Sequence, residues 1–141
     1  MKKAFAFVAS LVLGAVLVGC QTEQTETEQP AVQSITGTVA YRERIALPDD
    51  AVVTITLQDI SLADAPAKVI AKHRFETAGS QVPFEFDLAY DPAKIEARHR
   101  YSVSARIEVN GQLKFITDTS YPVVTDADKT DKVDLRLIGV R

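Results

Sequence analysis

Tyr101–Thr119, YSVSARIEVNGQLKFITDT, is the stretch on which the fold turns. Tyr101, Val103, Ala105, Ile107 and Val109 alternate with Ser102, Ser104, Arg106 and Glu108, the period-two pattern of a strand with one buried face. Asn110-Gly111 follows, two residues that tolerate the positive φ of a type I′ turn. The chain then returns through Gln112–Thr119 with Leu113 and Phe115 on the inner side. The reading is a β-hairpin, with strands over His99–Val109 and Gln112–Thr119.

The same alternation recurs on either side. Val52–Asp59 sets Val53, Ile55 and Leu57 opposite Thr54, Thr56 and Gln58. Lys68–Glu76 sets Val69, Ala71, His73 and Phe75 opposite Lys68, Ile70, Lys72 and Arg74. In Val82–Ala89, Phe84, Phe86 and Leu88 oppose Glu85 and Asp87, and Pro83 places that strand at an edge or near its own start. Ile35–Arg42 is a first strand, and Lys132–Val140 a last one with Val133, Leu135 and Leu137 inward. Pro48-Asp49-Asp50 and Ala78-Gly79-Ser80 are turns. Asp91–Ile95 reads as one helical turn, capped by Asp91 and opened by Pro92. The fold class is therefore all-β: about seven strands in an antiparallel β-sandwich, immunoglobulin-like or transthyretin-like, with a small barrel as the alternative. No Cys…Trp…Cys pattern exists, which excludes an antibody-type domain.

The N-terminal part is of another kind. Lys2 and Lys3 precede an uncharged run, Ala4–Val18, whose fifteen residues span roughly 22 Å as a helix, short of a bilayer core of about 30 Å. That is the build of a secretory signal peptide over residues 1–19. Its end, Leu17-Val18-Gly19-Cys20, is similar to a bacterial lipobox, in which the Cys thiol carries diacylglycerol and the freed amine is acylated, commonly with palmitate. Cys20 is the single Cys of the chain. Gln21 rather than Asp follows it, the pattern of an outer-membrane rather than an inner-membrane lipoprotein. Residues 21–33 begin QTEQTETEQ, with nothing apolar to offset the entropy of ordering, and read as a disordered tether. Three regions result: the signal at 1–19, the lipidated Cys20 with its linker at 20–33, and the β domain at 34–141.

Composition narrows the function. The 141 residues carry 16 Lys+Arg and 19 Asp+Glu, a formal charge of −3, so no cationic face for nucleic acid is indicated. A single Cys and two His exclude an internal disulfide and a structural Cys-zinc site. No phosphate loop, G-x-S-x-G elbow or H-E-x-x-H is present. A hydrolase would need His73 or His99 beside a Ser and an acid, Asp59 with Asp118 would be an unspecific acid–base pair, and the Asp126/Asp128/Asp131 group lacks the Gly and Glu of an EF-hand loop. The expectation is no enzyme, no catalytic residue, no metal and no cofactor beyond the covalent lipid on Cys20. Ile70, Ile116, Ile138 and Val140 fall on the outer faces of their strands and Tyr121 at a strand end, so these five are the candidate partner-binding residues.

Ile35–Arg44 (ITGTVAYRER), Leu47–Leu62 (LPDDAVVTITLQDISL), Val82–Ile95 (VPFEFDLAYDPAKI), Arg98–Ile107 (RHRYSVSARI) and Phe115–Pro122 (FITDTSYP) resemble the YbaY-type lipoproteins, which are grouped with the YscW-type pilotins of type III secretion. The likeness runs through nearly all of Ser34–Val140 with its segments in order. It implies a periplasmic β-sandwich anchored to the outer membrane, with acyl chains as the membrane contact. The function expected is a non-enzymatic binding or envelope assembly and maintenance module. For the pilotin branch the resemblance implies a chaperone that binds a secretin tail and directs that subunit to the outer membrane. A periplasmic hydrolase is the remaining reading.

Overall fold

The computed structural model describes residues 32–141, so the signal peptide, Cys20 with its lipobox and nearly all of the tether lie outside the described residues. Eight strands follow in order: β1 (Gln33–Tyr41), β2 (Val52–Asp59), β3 (Lys68–Glu76), β4 (Phe84–Tyr90), β5 (Tyr101–Val109), β6 (Gln112–Thr117), β7 (Pro122–Val123) and β8 (Lys132–Gly139). The hairpin forms as the sequence dictates. Asn110 and Gly111 have φ of 51° and 76°, and Val109 pairs with Gln112. Asp91 caps a single 3-10 turn at Pro92–Lys94, its carboxylate accepting from the Ala93 amide at 2.9 Å.

The sandwich expectation is corrected in one respect. The strands form one mixed sheet in the order β3-β2-β5-β6-β8-β1-β4, with β7 on β5, and not two packed antiparallel sheets. The sheet rolls until its edge strands face each other, Phe75 of β3 meeting Phe84 of β4 edge-to-face at 6.0 Å. Each edge strand keeps a ladder with one neighbour only, β3 with β2 and β4 with β1, so the roll is nearly a barrel. The inner faces meet in one core. Ile35, Val39, Val53, Ile55, Leu57, Val103 and Ile107 are fully buried there, as period-two strands with one apolar face require.

The roll is completed by β1 and β8, which are parallel, unlike every other pair. Here Gly37 sits opposite Val133 on one side and Phe86 on the other. A Cβ at Gly37 would lie 1.6 Å from the Val133 carbonyl oxygen, so the close approach of the two backbones requires glycine.

A bulge changes the face of one residue. Leu57 pairs with Ala71 and Gln58 with Val69, leaving Ile70 as the extra residue of β3. Ile70 therefore turns inward and is buried, while Val69 is exposed. Strict alternation put these two the other way round, because alternation cannot see an inserted residue.

All strand ends gather at two rims. Gln33, Asp59, Lys68, Tyr90, Tyr101 and Lys132 mark the rim at which the chain enters, called here the tether rim. Tyr41, Val52, Glu76, Val109 and Gly139 mark the far rim.

Candidate functional site

Five side chains carried the expectation of a partner surface, and the structure separates them. Ile70 is in the core for the reason just given and is withdrawn from any surface. Ile116 and Ile138 are cross-strand neighbours on the outer face of β6 and β8, Ile116 half-buried and Ile138 exposed. Tyr121 is half-buried and shares with Ile138 a shallow trough over β1 and β8, also lined by Thr38, Ala40 and Arg136. The Tyr121 hydroxyl accepts from the Arg136 amide at 3.0 Å, which fixes that ring against β8. Val140 is exposed at the far rim.

At that rim Val140 lines a mainly apolar cleft of about 370 Å³ with Ile45, Ala46, Leu47, Pro48, Val109 and Phe115. Glu43 and Lys114 stand at its edge with opposite charges. The cleft is built by the β1–β2 connection. The Tyr41 ring stacks on Phe115 at 4.0 Å, and its hydroxyl donates to the Ile45 carbonyl, holding that segment over the barrel mouth. Gln81 clamps the same segment from the other side, its side-chain amide bonding both the Leu47 amide (2.8 Å) and the Leu47 carbonyl (2.9 Å). Ile45 is thereby left 59% exposed on a backbone that is held in place. Alternation gave no role to Ile45, Ala46 and Leu47, which precede the turn at Pro48. The signal available was an apolar Ile-Ala-Leu lying between a strand and a turn, where nothing buries it locally.

Candidate catalytic groups assemble differently from the sequence expectation. Asp59 has His99 as its partner: its Oδ2 lies 2.6 Å from His99 Nδ1, and Glu96 Oε2 lies 2.9 Å from His99 Nε2. Hydrogen bonds from Ser61 and His99 hold the Asp59 carboxyl down at about 2. The Asp59 hydrogen bond pushes His99 above the usual imidazole range, against a smaller opposing effect of burial. Both ring nitrogens face carboxylates, and among the described residues no hydroxyl is bonded to either, unlike a hydrolase dyad with its nucleophile. His73 is exposed on β3, its ring 5.4 Å from that of Phe75. Asp126 directs its carboxylate to Thr130, amide and hydroxyl together, which lowers its pKa and closes a loop.

The described domain thus offers an apolar cleft and shallow troughs on a nearly closed barrel. Residues 30–137 match the type III secretion system lipoprotein chaperone family, YscW. The chain is 47% identical over 122 residues to the uncharacterized lipoprotein YbaY of Escherichia coli strain K12, covering 85% of this chain and 63% of that protein. The chain thus spans less than two thirds of the length of that curated relative. A solved structure of an alternative pilotin from the type II secretion system of Vibrio cholerae is 70% identical, covers 78% of this chain and 98% of that chain, and superposes with a TM-score of 0.77. These relatives point to a non-enzymatic, envelope-anchored protein. The chain is a YbaY-type lipoprotein and belongs to the YscW family of type III secretion system lipoprotein chaperones.

Proposed function

We propose that this chain is a pilotin-like escort: a lipid-anchored, non-enzymatic module that binds the tail of a secretin subunit and carries it to the outer membrane. The observation that carries this reading is the 70% identity to an alternative pilotin over 98% of that chain. The anchor is the covalent lipid on Cys20, following the lipobox Leu17-Val18-Gly19, and the residues between Cys20 and β1 are the reach of the domain from the membrane. Gln21 after Cys20 supports the outer membrane, on its periplasmic side, as the destination.

The far-rim cleft suits the partner segment best. An amphipathic tail has apolar side chains to bury, and among the grooves on this barrel this cleft has the most apolar lining. Glu43 and Lys114 at its edge fix orientation more than they add affinity. Ile138, Ile116 and Tyr121, on the neighbouring outer face, extend the surface that a long tail would cross.

A paired substitution tests the cleft. Ile45→Glu with Val140→Glu places charge at two exposed positions, so stability is expected to stay within about 1 kcal/mol of wild type. Affinity for a synthetic peptide of the secretin C-terminal tail, measured by isothermal titration, is expected to fall at least about tenfold, as for loss of anchor residues in an interface. Unchanged affinity in the double variant would remove the cleft from the binding surface.

A further inference from the structure

The segment Asp91–Arg100 crosses the tether rim as a strap from β4 to β5, and it is fastened mainly at its C-terminal half. Glu96 donates its amide to the Tyr101 hydroxyl at 2.8 Å, Arg100 donates its amide to Ser61 Oγ at 2.8 Å, and the Thr125 hydroxyl donates to the His99 carbonyl at 2.6 Å. The side chain at the centre of these bonds is His99, and its ring is bracketed by two carboxylates on opposite nitrogens, Asp59 of β2 and Glu96 of the strap. Each acid stands at its own ring nitrogen, Asp59 at Nδ1 and Glu96 at Nε2. Together they demand two N–H donors.

Only the imidazolium has two N–H donors. A neutral ring has one, and its other nitrogen would turn a lone pair toward a carboxylate. We propose that Asp59–His99–Glu96 is a pH-sensitive latch that fastens the strap to the end of β2 while His99 is charged and loosens it when His99 loses its proton. The charged groups facing the ring are Asp59 from β2, Glu96 from the strap itself and Lys68 from the start of β3; from the loop after β7, the Thr125 hydroxyl bonds the His99 carbonyl and not the ring. The two acids outweigh the one lysine, and the His99 pKa is raised.

The direction of the switch follows. A raised folded-state pKa means that the latch contributes fully below the ordinary imidazole value of about 6.5 and is lost as pH rises through the higher folded value. Asp59, lowered to about 2, remains ionised throughout that range and lets go only in strong acid. The latch is therefore fastened while His99 is charged and Asp59 ionised, and it opens on the alkaline side. The strap begins where Tyr90 donates its hydroxyl to Gln33, at the point where the chain enters the barrel. Release of the strap thus loosens the rim next to the tether and leaves the far-rim cleft, at the other end of the barrel, unchanged.

The test uses the full-length lipidated protein in detergent micelles with His73→Gln, an exposed substitution that leaves one imidazole to report. Nitrogen-15 shifts of the His99 ring are followed against pH, and again in urea for the unfolded chain. Both ring nitrogens are expected to be protonated at pH 6.5, with a folded midpoint above the unfolded one. Asp59→Asn, or Glu96→Gln if the first variant is poorly folded, is expected to move that midpoint down. The Glu96 and Arg100 amide signals are expected to shift with the same midpoint. Over His99→Gln, the gain in thermal midpoint at pH 6 is expected to be at least halved at pH 9. A ring with one bare nitrogen at pH 6.5, a folded midpoint at or below the unfolded one, or strap amides that ignore the ring's titration would each overturn the latch.

Discussion

Gly37→Ala is expected to lower the thermal midpoint of the domain by roughly 10–20 °C, which corresponds to a loss of about 3–5 kcal/mol for a domain of this size. The alanine Cβ would stand 1.6 Å from the Val133 carbonyl oxygen and 2.6 Å from its carbon, distances that no rotamer can relieve because both groups are backbone. β1 would have to withdraw from β8. That pair is the parallel seam which joins β8 to β1 and so brings β4 round toward β3. Ordinary overpacking costs about 1–3 kcal/mol because side chains can turn aside, and here nothing can. A total stability of 5–15 kcal/mol is typical for a domain, so much of it would be gone. Thermal denaturation followed by far-ultraviolet circular dichroism measures it. A midpoint within about 2 °C of wild type would mean that β1 and β8 are not packed as closely as described.

That glycine illustrates what could be read from the residues alone. A Gly inside ITGTVAYR signals a close approach of some backbone, but the partner, Val133, lies in the last strand. Local alternation located β2 and β3 to the residue and β5, β6 and β8 closely, and in β2, β5, β6 and β8 the apolar face is the inward one. It carried no information on the order of the strands, on the parallel pair, or on whether one sheet curls or two sheets stack. Those depend on contacts between positions far apart in the chain. The two-residue β7 was not read as a strand because two residues show no period. Ile70 was assigned to the wrong face by a single inserted residue. In the latch, Glu96 and His99 are three apart and visible together, while Asp59 reaches the ring from forty residues away. The far-rim cleft went unread because its apolar floor comes from β5 and β6 and its lip from a loop.

The second large effect concerns the anchor. With Cys20→Ser, the membrane-bound fraction of the protein is expected to fall from nearly all to nearly none. Each buried CH₂ of an acyl chain contributes about 0.8 kcal/mol, so one chain holds marginally and a diacylglycerol with a third acyl group holds durably. Removal of Lys2 and Lys3 with the signal takes the charge from −3 to −5, which repels anionic headgroups. Among the described residues no helix is long and apolar enough to span a bilayer. Cell fractionation with intact-mass measurement gives the answer: wild type is expected to carry the added mass of its acyl groups and to sediment with membranes, and the serine variant to do neither. Sedimentation of an unlipidated Cys20→Ser protein whose measured mass shows the signal removed would place the membrane contact in the domain and not in the lipid.

The escort role has the most direct test in cells that produce a cognate secretin with and without this chain. The quantity to measure is the heat-resistant secretin multimer in the outer-membrane fraction. With the wild-type chain it is expected to rise several-fold over cells lacking it, and the Cys20→Ser form is expected to give no such rise. Equal amounts of multimer at the outer membrane in all three strains would contradict the escort function.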